Sequence, residues 1–265
     1  MIKLNTLSKK LLFNTMRIDT TLVDGSEGAG TGFFFNCFLS ERPYPFLVTN
    51  RHVVENAAVG LLSFTAAHDG LPAIGDKIEL EIADFANQWF YHPDPSVDLA
   101  ILPVALIEQA VAQQGKQVYF HAIDINLIPT QEELADFDAL EPVVFFGYPN
   151  GVWDHVNLMP IIRRGTTATS LQFDFEGRAE FLIDASVYPG SSGSPVFLYN
   201  PDFAHDPEQN KFNFIGVISS VFYREEEGAS CPTTGCAEMI DLGLVVKAQM
   251  VRDTIWHFAQ ARLGK

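Results

Sequence analysis

A chain of 265 residues with 47% apolar content can bury a sizeable core and is too apolar for a disordered protein. Seventeen basic against 33 acidic residues leave a formal charge of −16, and no Lys/Arg run exceeds a pair, so nucleic acid and an anionic membrane are both excluded as partners. The longest apolar run in the opening segment, Leu11 to Phe13, is too short for a signal-peptide core, no run approaches a membrane span, and three cysteines are too few for a secreted disulfide framework. These features favour the cytoplasm.

In chain order the dominant signal is a series of short β-prone runs punctuated by turns: TGFFFNCF, PFLVTN, DKIELEI, QWFYH, DLAILPV, VVFFGY, IIRRGTTAT, AEFLIDAS, SPVFLY, FNFIGVISSVF and LGLVV. Within KIELEI (77–82), Ile78, Leu80 and Ile82 alternate with Lys77, Glu79 and Glu81, the pattern of a half-buried strand. Helix is expected in three places. ALIEQAVAQQG (105–115) ends on Gly115, and TQEELADF (130–137) opens with Thr130 and Glu133 at capping-box spacing. VVKAQMVRDTIWHFAQARL (245–263) spaces Val246, Met250, Val251, Ile255, Phe258 and Ala259 along one helical face. The pattern predicts an all-β protein with two strand-rich halves, 20–105 and 140–246, a connection over 106–139 and a C-terminal helix over 247–265.

The segment YPGSSGSPVF (188–197) packs three serines among glycines and prolines. By itself that is turn chemistry. A nucleophilic serine also requires a base, an orienting carboxylate and oxyanion donors. FLVTNRHVVENA puts His52 directly after an apolar strand, where a helical turn begins, and YHPDPSVDLAILPV puts Asp98 at the mouth of another. His52, Asp98 and Ser192 follow one another at gaps of 46 and 94 residues, in the order His, Asp, Ser. That is the chymotrypsin order, and neither the subtilisin nor the α/β-hydrolase one, whose G-x-S-x-G elbow is also missing here. The order therefore disfavours a lipase or esterase.

GTGFFF (30–35), VTNRHV (48–53), DLAIL (98–102), DASVYPGSSGSPV (184–196), IGVISS (215–220) and LGLVVKA (242–248) together resemble the trypsin-like serine proteases of chymotrypsin fold, in particular the bacterial HtrA/Deg branch. The resemblance implies two six-stranded antiparallel β-barrels, with a C-terminal helix and short connecting helices, forming one protease domain. It departs from the branch in that no PDZ module follows, and from digestive trypsins in that Ser191 stands where an Asp would pair with a cleaved N-terminus. It implies an endopeptidase acting on protein or peptide through an acyl-enzyme, with no metal or organic cofactor; the alternative is a catalytically silent, peptide-binding scaffold of the same fold. Ser192 is the expected nucleophile, His52 the base and Asp98 its orienting carboxylate, with the amides of Gly190 and Ser192 as oxyanion donors. Ser219 should lie near Asp98. Ser186, Val187 and Tyr188 would form the base of the primary pocket and Ser219, Ser220 and Val221 one wall. With no carboxylate there, small or medium aliphatic residues should be preferred over Lys or Arg.

Other candidates are read more plainly. His92, His121 and His155 are expected to be structural or solvent-facing, and GYPNGVWD (147–154) a hairpin turn. Cys231 and Cys236 are expected as free thiols and Glu225 to Glu227 as a solvated loop. A lone cytoplasmic protease must be restrained by substrate choice, an oxyanion loop that orders on demand, or a regulatory protein partner.

Overall fold

The computed structural model describes residues 3–39, 42–200, 212–225 and 237–264. A short helix α1 (Leu7–Lys10) leads into nine strands: β1 (Thr15–Leu22), β2 (Glu27–Leu39), β3 (Arg42–Thr49), β4 (Ala57–His68), β5 (Leu71–Ala83), β6 (Phe90–Tyr91), β7 (Ala100–Pro103), β8 (Val118–Tyr119) and β9 (Ile123–Asp124). They form one sheet in the order β5-β4-β1-β2-β3-β7-β6, with β8 on β4 and β9 on β2. The helices α2 (Arg51–Val54), α3 (Val104–Ala112) and α4 (Gln131–Asp136) sit in the connections. The second half is a closed antiparallel barrel, β10-β11-β12-β15-β14-β13, built from β10 (Pro142–Gly147), β11 (Ile161–Thr167), β12 (Glu180–Asp184), β13 (Pro195–Tyr199), β14 (Phe212–Glu225) and β15 (Ala237–Lys247). Helix α5 (Ala248–Phe258) follows directly.

The all-β, chymotrypsin-like architecture stands, and the second half has the six strands expected of it. The first half is one sheet of nine strands where six were expected, with β9 parallel to β2, and β1, β4, β8 and β9 were not read from the sequence. AAVGLLSFTAAH is mostly small residues, and they are small for a reason: a Cβ on Gly60 would lie 2.4 Å from the Phe85 ring. Strand β5 alternates as expected, with Ile78 and Leu80 buried and Lys77, Glu79 and Glu81 exposed.

The unbroken Phe33-Phe34-Phe35 run in β2 shows where the two halves meet. Successive side chains point to opposite faces, yet all three rings are buried. Phe34 stacks on Phe120 at 4.4 Å inside the first half, whereas Phe33 and Phe35 pack at 5.5 and 5.7 Å on Phe214 of β14. This shared core also takes in Val251, Ile255 and Phe258 of α5. Truncating any one of these rings to Ala should cost about 3–5 kcal/mol. Thr130 and Glu133 form the expected reciprocal cap on α4. Helix α5 begins later than its periodicity suggests: Val246 and Lys247 still belong to β15, Val246 pairing with Glu180 and Val217. Among the described residues, no helix is long and apolar enough to cross a membrane.

Candidate active site

The junction of the two halves gathers three chain segments far apart in sequence. His52 lies in the first turn of α2, which Val53 and Val54 pin to the first half by burying their side chains. Asp98 precedes β7. The ring Nδ1 of His52 stands 2.7 Å from Asp98 Oδ2, and the His52 amide donates to Oδ1 at 3.0 Å. The Asn50 side-chain amide donates to the Asp98 carbonyl at 2.9 Å, and the Ser219 hydroxyl to Oδ2 at 2.6 Å. Burial pushes the Asp98 carboxyl up, but the His52 ring's hydrogen bond and charge, the Ser219 hydroxyl and the His52 amide outweigh it and hold the group below its ordinary value. An ionised carboxylate only accepts, so Nδ1 carries the proton of the neutral ring and Nε2 presents its lone pair.

Ser192 sits on the turn between β12 and β13 and shares a cavity of about 290 Å³ with His52. Val187, Tyr188, Pro189, Ser219, Ser220 and Val221 complete its lining. Five of the six residues expected at the primary pocket therefore face one cavity. Ser186 is half-buried and does not line it; the wall at that point comes from its neighbour Val187. No carboxylate lines this cavity among the described residues. The Ser192 hydroxyl donates to the Ser219 carbonyl at 3.1 Å.

The serine turn is held by its carbonyls. Ser191 N–H closes a turn on the Tyr188 carbonyl at 3.0 Å, with Pro189 second and Gly190 third at φ +88, as a type II turn demands. Asn150 N–H binds the Pro189 carbonyl at 2.6 Å. The intervening peptide is planar and trans, so the Gly190 N–H points the other way. The N–H groups of Gly190 and Ser192 donate to no partner among the described residues. Gly190 also has no room for a side chain, since a Cβ there would lie 2.5 Å from the Tyr148 carbonyl oxygen.

Sequence reasoning missed Asn150 and Thr31 as neighbours of this turn. GYPNGVWD was expected to be only a hairpin; it makes a 3₁₀ turn at Pro149–Gly151 and an Asp154–Met159 bridge, and it reaches the serine loop through Asn150. The positive φ of 47 at Asn150 is a signal that a PNG tripeptide carries, but its target lies about forty residues away in sequence. The expectations for Cys231, Cys236 and the Glu225–Glu227 run fall outside the described residues and side chains.

A larger cavity of about 790 Å³ lies between the 92–97 turn, the start of β12 and α5. It is walled in part by Ser96 and Val97, the residues just before Asp98. Its charges answer one another: Arg178 stands 3.1 Å from Glu180, Lys247 binds Asp174 just outside, and Arg252 is 3.9 Å from Asp253. The Ser96 hydroxyl is engaged by Asp94 at 2.7 Å.

The fold is that of the chymotrypsin-like serine peptidases. The family model for the trypsin-like peptidase domain matches residues 30–201, and the chain belongs to that family. Among solved structures, it superposes on the HtrA-type protease AlgW, solved with a tripeptide, at TM-score 0.52 and 15% identity, covering 97% of this chain and 63% of that one. The serine endoprotease from Yersinia pestis gives 0.53 at 13% identity, covering 97% and 66%. A structure titled HL collagenase gives 0.54 at 15%, covering 97% and 95%. At such identities the likeness is one of fold. No curated protein matches the sequence.

Proposed function

We propose that His52, Asp98 and Ser192 work as a catalytic triad that hydrolyses peptide bonds through an acyl-enzyme. The observation that carries this is the 2.7 Å bond between His52 Nδ1 and Asp98 Oδ2 in a cavity shared with Ser192. As Ser192 Oγ attacks the carbonyl carbon, Nε2 takes the hydroxyl proton, and Asp98 balances the imidazolium charge. The carbonyl oxygen becomes an oxyanion between the free N–H groups of Gly190 and Ser192. Nε2 returns the proton to the leaving amine, and water repeats the sequence on the acyl-enzyme.

The primary pocket in this reading takes small or medium aliphatic side chains. Val187 and Val221 give its lining apolar surface, and a Lys or Arg side chain would lose water without gaining a charge partner. The substrate is a peptide or protein, a reading supported by the fold shared with AlgW, which was solved with a tripeptide. Three cysteines, with Cys37 free and buried, fit a reducing compartment, and the protein is read as cytoplasmic.

The second reading, a catalytically silent peptide-binding scaffold, draws on the Ser192 hydroxyl's bond to the Ser219 carbonyl instead of to His52. A fluorophosphonate separates the two. Labelling that disappears in Ser192→Ala and in His52→Ala, together with a loss of peptide turnover of about 10⁴-fold or more in both, is the expected outcome. A folded parent protein that neither labels nor turns over peptide would leave the scaffold reading standing.

A further inference from the structure

The cavity of about 790 Å³ shares no lining residue with the one that holds His52 and Ser192, and the peptidase reaction does not use it. Its volume suits a small molecule or a few residues of a peptide. Besides two histidines, six charged side chains line it: Asp94, Asp174, Glu180 and Asp253 against Arg178 and Arg252. Acids are in excess. Lys247 answers Asp174 from outside the cavity, and Arg252 comes no closer than 3.9 Å to Asp253. Asp94 is met by the Ser96 amide and hydroxyl, and by no lysine or arginine among the described residues.

Glu180 is the least satisfied of the four. Only 5% of it is exposed, yet its Oε2 accepts no hydrogen bond. Arg178 Nε lies 3.1 Å from that oxygen without hydrogen-bond geometry, and the Arg178 side chain is itself half exposed. Burial pushes the Glu180 carboxyl above its ordinary value; Arg178 pulls it back only in part, and the charges of Asp98 and Glu176 add to the rise. A buried carboxylate in this condition costs free energy that a cationic donor entering the cavity would recover. Val97, Val246 and Met250 supply apolar wall beside it, and Trp256, 56% exposed, adds an aromatic surface of the kind that covers an aliphatic stem. The charge of −16 on the whole chain attracts a cation and repels an anion.

We infer that this cavity binds an organic cation on an aliphatic stem, with its charged head at Glu180 and its stem against Trp256. The chemistry is that of an arginine or lysine side chain of a peptide, or of a free amine of the same shape. The inference stands apart from the triad reading.

Calorimetric titration of the Ser192→Ala protein, which leaves the peptides uncut, tests it with acetyl-Gly-Arg-Gly-amide, its citrulline twin, the matching glutamate peptide and agmatine. The arginine peptide should bind at least about tenfold tighter than the citrulline and glutamate peptides. Adding Glu180→Gln, which keeps the shape and removes the charge, should abolish that preference. Where this variant does not fold, Trp256→Ala at an exposed position should weaken the arginine peptide by about threefold or more. Arg178→Ala removes the resident competitor for Glu180 and should tighten binding. Agmatine carries the same head without a peptide: binding tighter than the arginine peptide names a free amine as the source of the ligand, and weaker binding names a peptide. An arginine peptide bound no better than its citrulline twin overturns the inference. So does a preference that survives Glu180→Gln, a Trp256→Ala protein with undiminished binding, or an Arg178→Ala protein that binds more weakly.

Discussion

Ser219 touches both ends of the candidate triad. Its hydroxyl donates to Asp98 Oδ2 at 2.6 Å, and its carbonyl accepts from the Ser192 hydroxyl at 3.1 Å. Strand β14 thereby connects the orienting carboxylate to the resting nucleophile. Only the first bond uses the Ser219 side chain.

Ser219→Ala removes one of the donors that lower the Asp98 pKa. A carboxylate depressed in the folded state contributes stability above its unfolded value, about 3.9, and loses it as pH falls through the folded value. The variant's folded value lies closer to the unfolded one. It should be less stable at neutral pH by about 1.5–3 kcal/mol, with the difference narrowing as pH falls toward 3. Thermal unfolding from pH 7 down to 3 checks this; superimposable stability curves in parent and variant would mean that the bond contributes nothing.

Gly190→Ala should be worse for catalysis than its single methyl suggests. The position has φ +88, and a Cβ would lie 2.5 Å from the Tyr148 carbonyl oxygen, so the turn must move to accept it. Loss of one oxyanion donor corresponds to about 10²–10³ in kcat. Circular dichroism should show the fold retained. A Gly190→Ala enzyme within a factor of three of the parent would argue that this amide faces no reacting oxygen.

Val221→Gly should widen the cleft between Tyr188 and Ser220, the neighbours with which Val221 lines the cavity. Cleavage after Phe, Tyr or Trp should rise relative to Ala or Val, with discrimination among aliphatics staying modest at about 1–3 kcal/mol per methylene. Proteome-derived peptide libraries read both enzymes. Dominant cleavage after Arg or Lys by the parent would show that the apolar lining does not set the preference.

Cys37 should resist native alkylation. Burial pushes its thiol up to about 11, and its Sγ contacts the Tyr44 carbonyl at 3.6 Å, so little thiolate forms at neutral pH. Iodoacetamide followed by peptide mapping should modify Cys37 only after denaturant is added. Rapid modification of the native protein would mean that β2 and β3 open there.

Much of this protein is written locally. The alternation in β5 marks a strand with one wet face because a pleated chain has period two, and Thr130 with Glu133 marks a helix start because the two side chains satisfy each other's backbone. His52, Asp98 and Ser192 were legible from their order and from the apolar strands that precede or follow them, and the serine turn from its glycines. Strand β4 was not, since its small residues are chosen by neighbours such as Phe85, which closes over Gly60. Nor was the end of β15: Val246 fits the helical spacing of α5 equally well, and only pairing with Glu180 and Val217 keeps it in the sheet.

By itself, then, the sequence determined the all-β class and the turn that carries the serine, because each is encoded within a few positions by periodicity or by backbone freedom, and its His, Asp, Ser order marked the three candidate catalytic side chains. Where that turn docks was decided by tertiary structure alone. Pro189 and Gly190 set its type, but the Thr31 hydroxyl on the Gly190 carbonyl and the Asn150 N–H on the Pro189 carbonyl, which hold it in place, arrive from elsewhere in the chain and act only once the two halves have closed on each other.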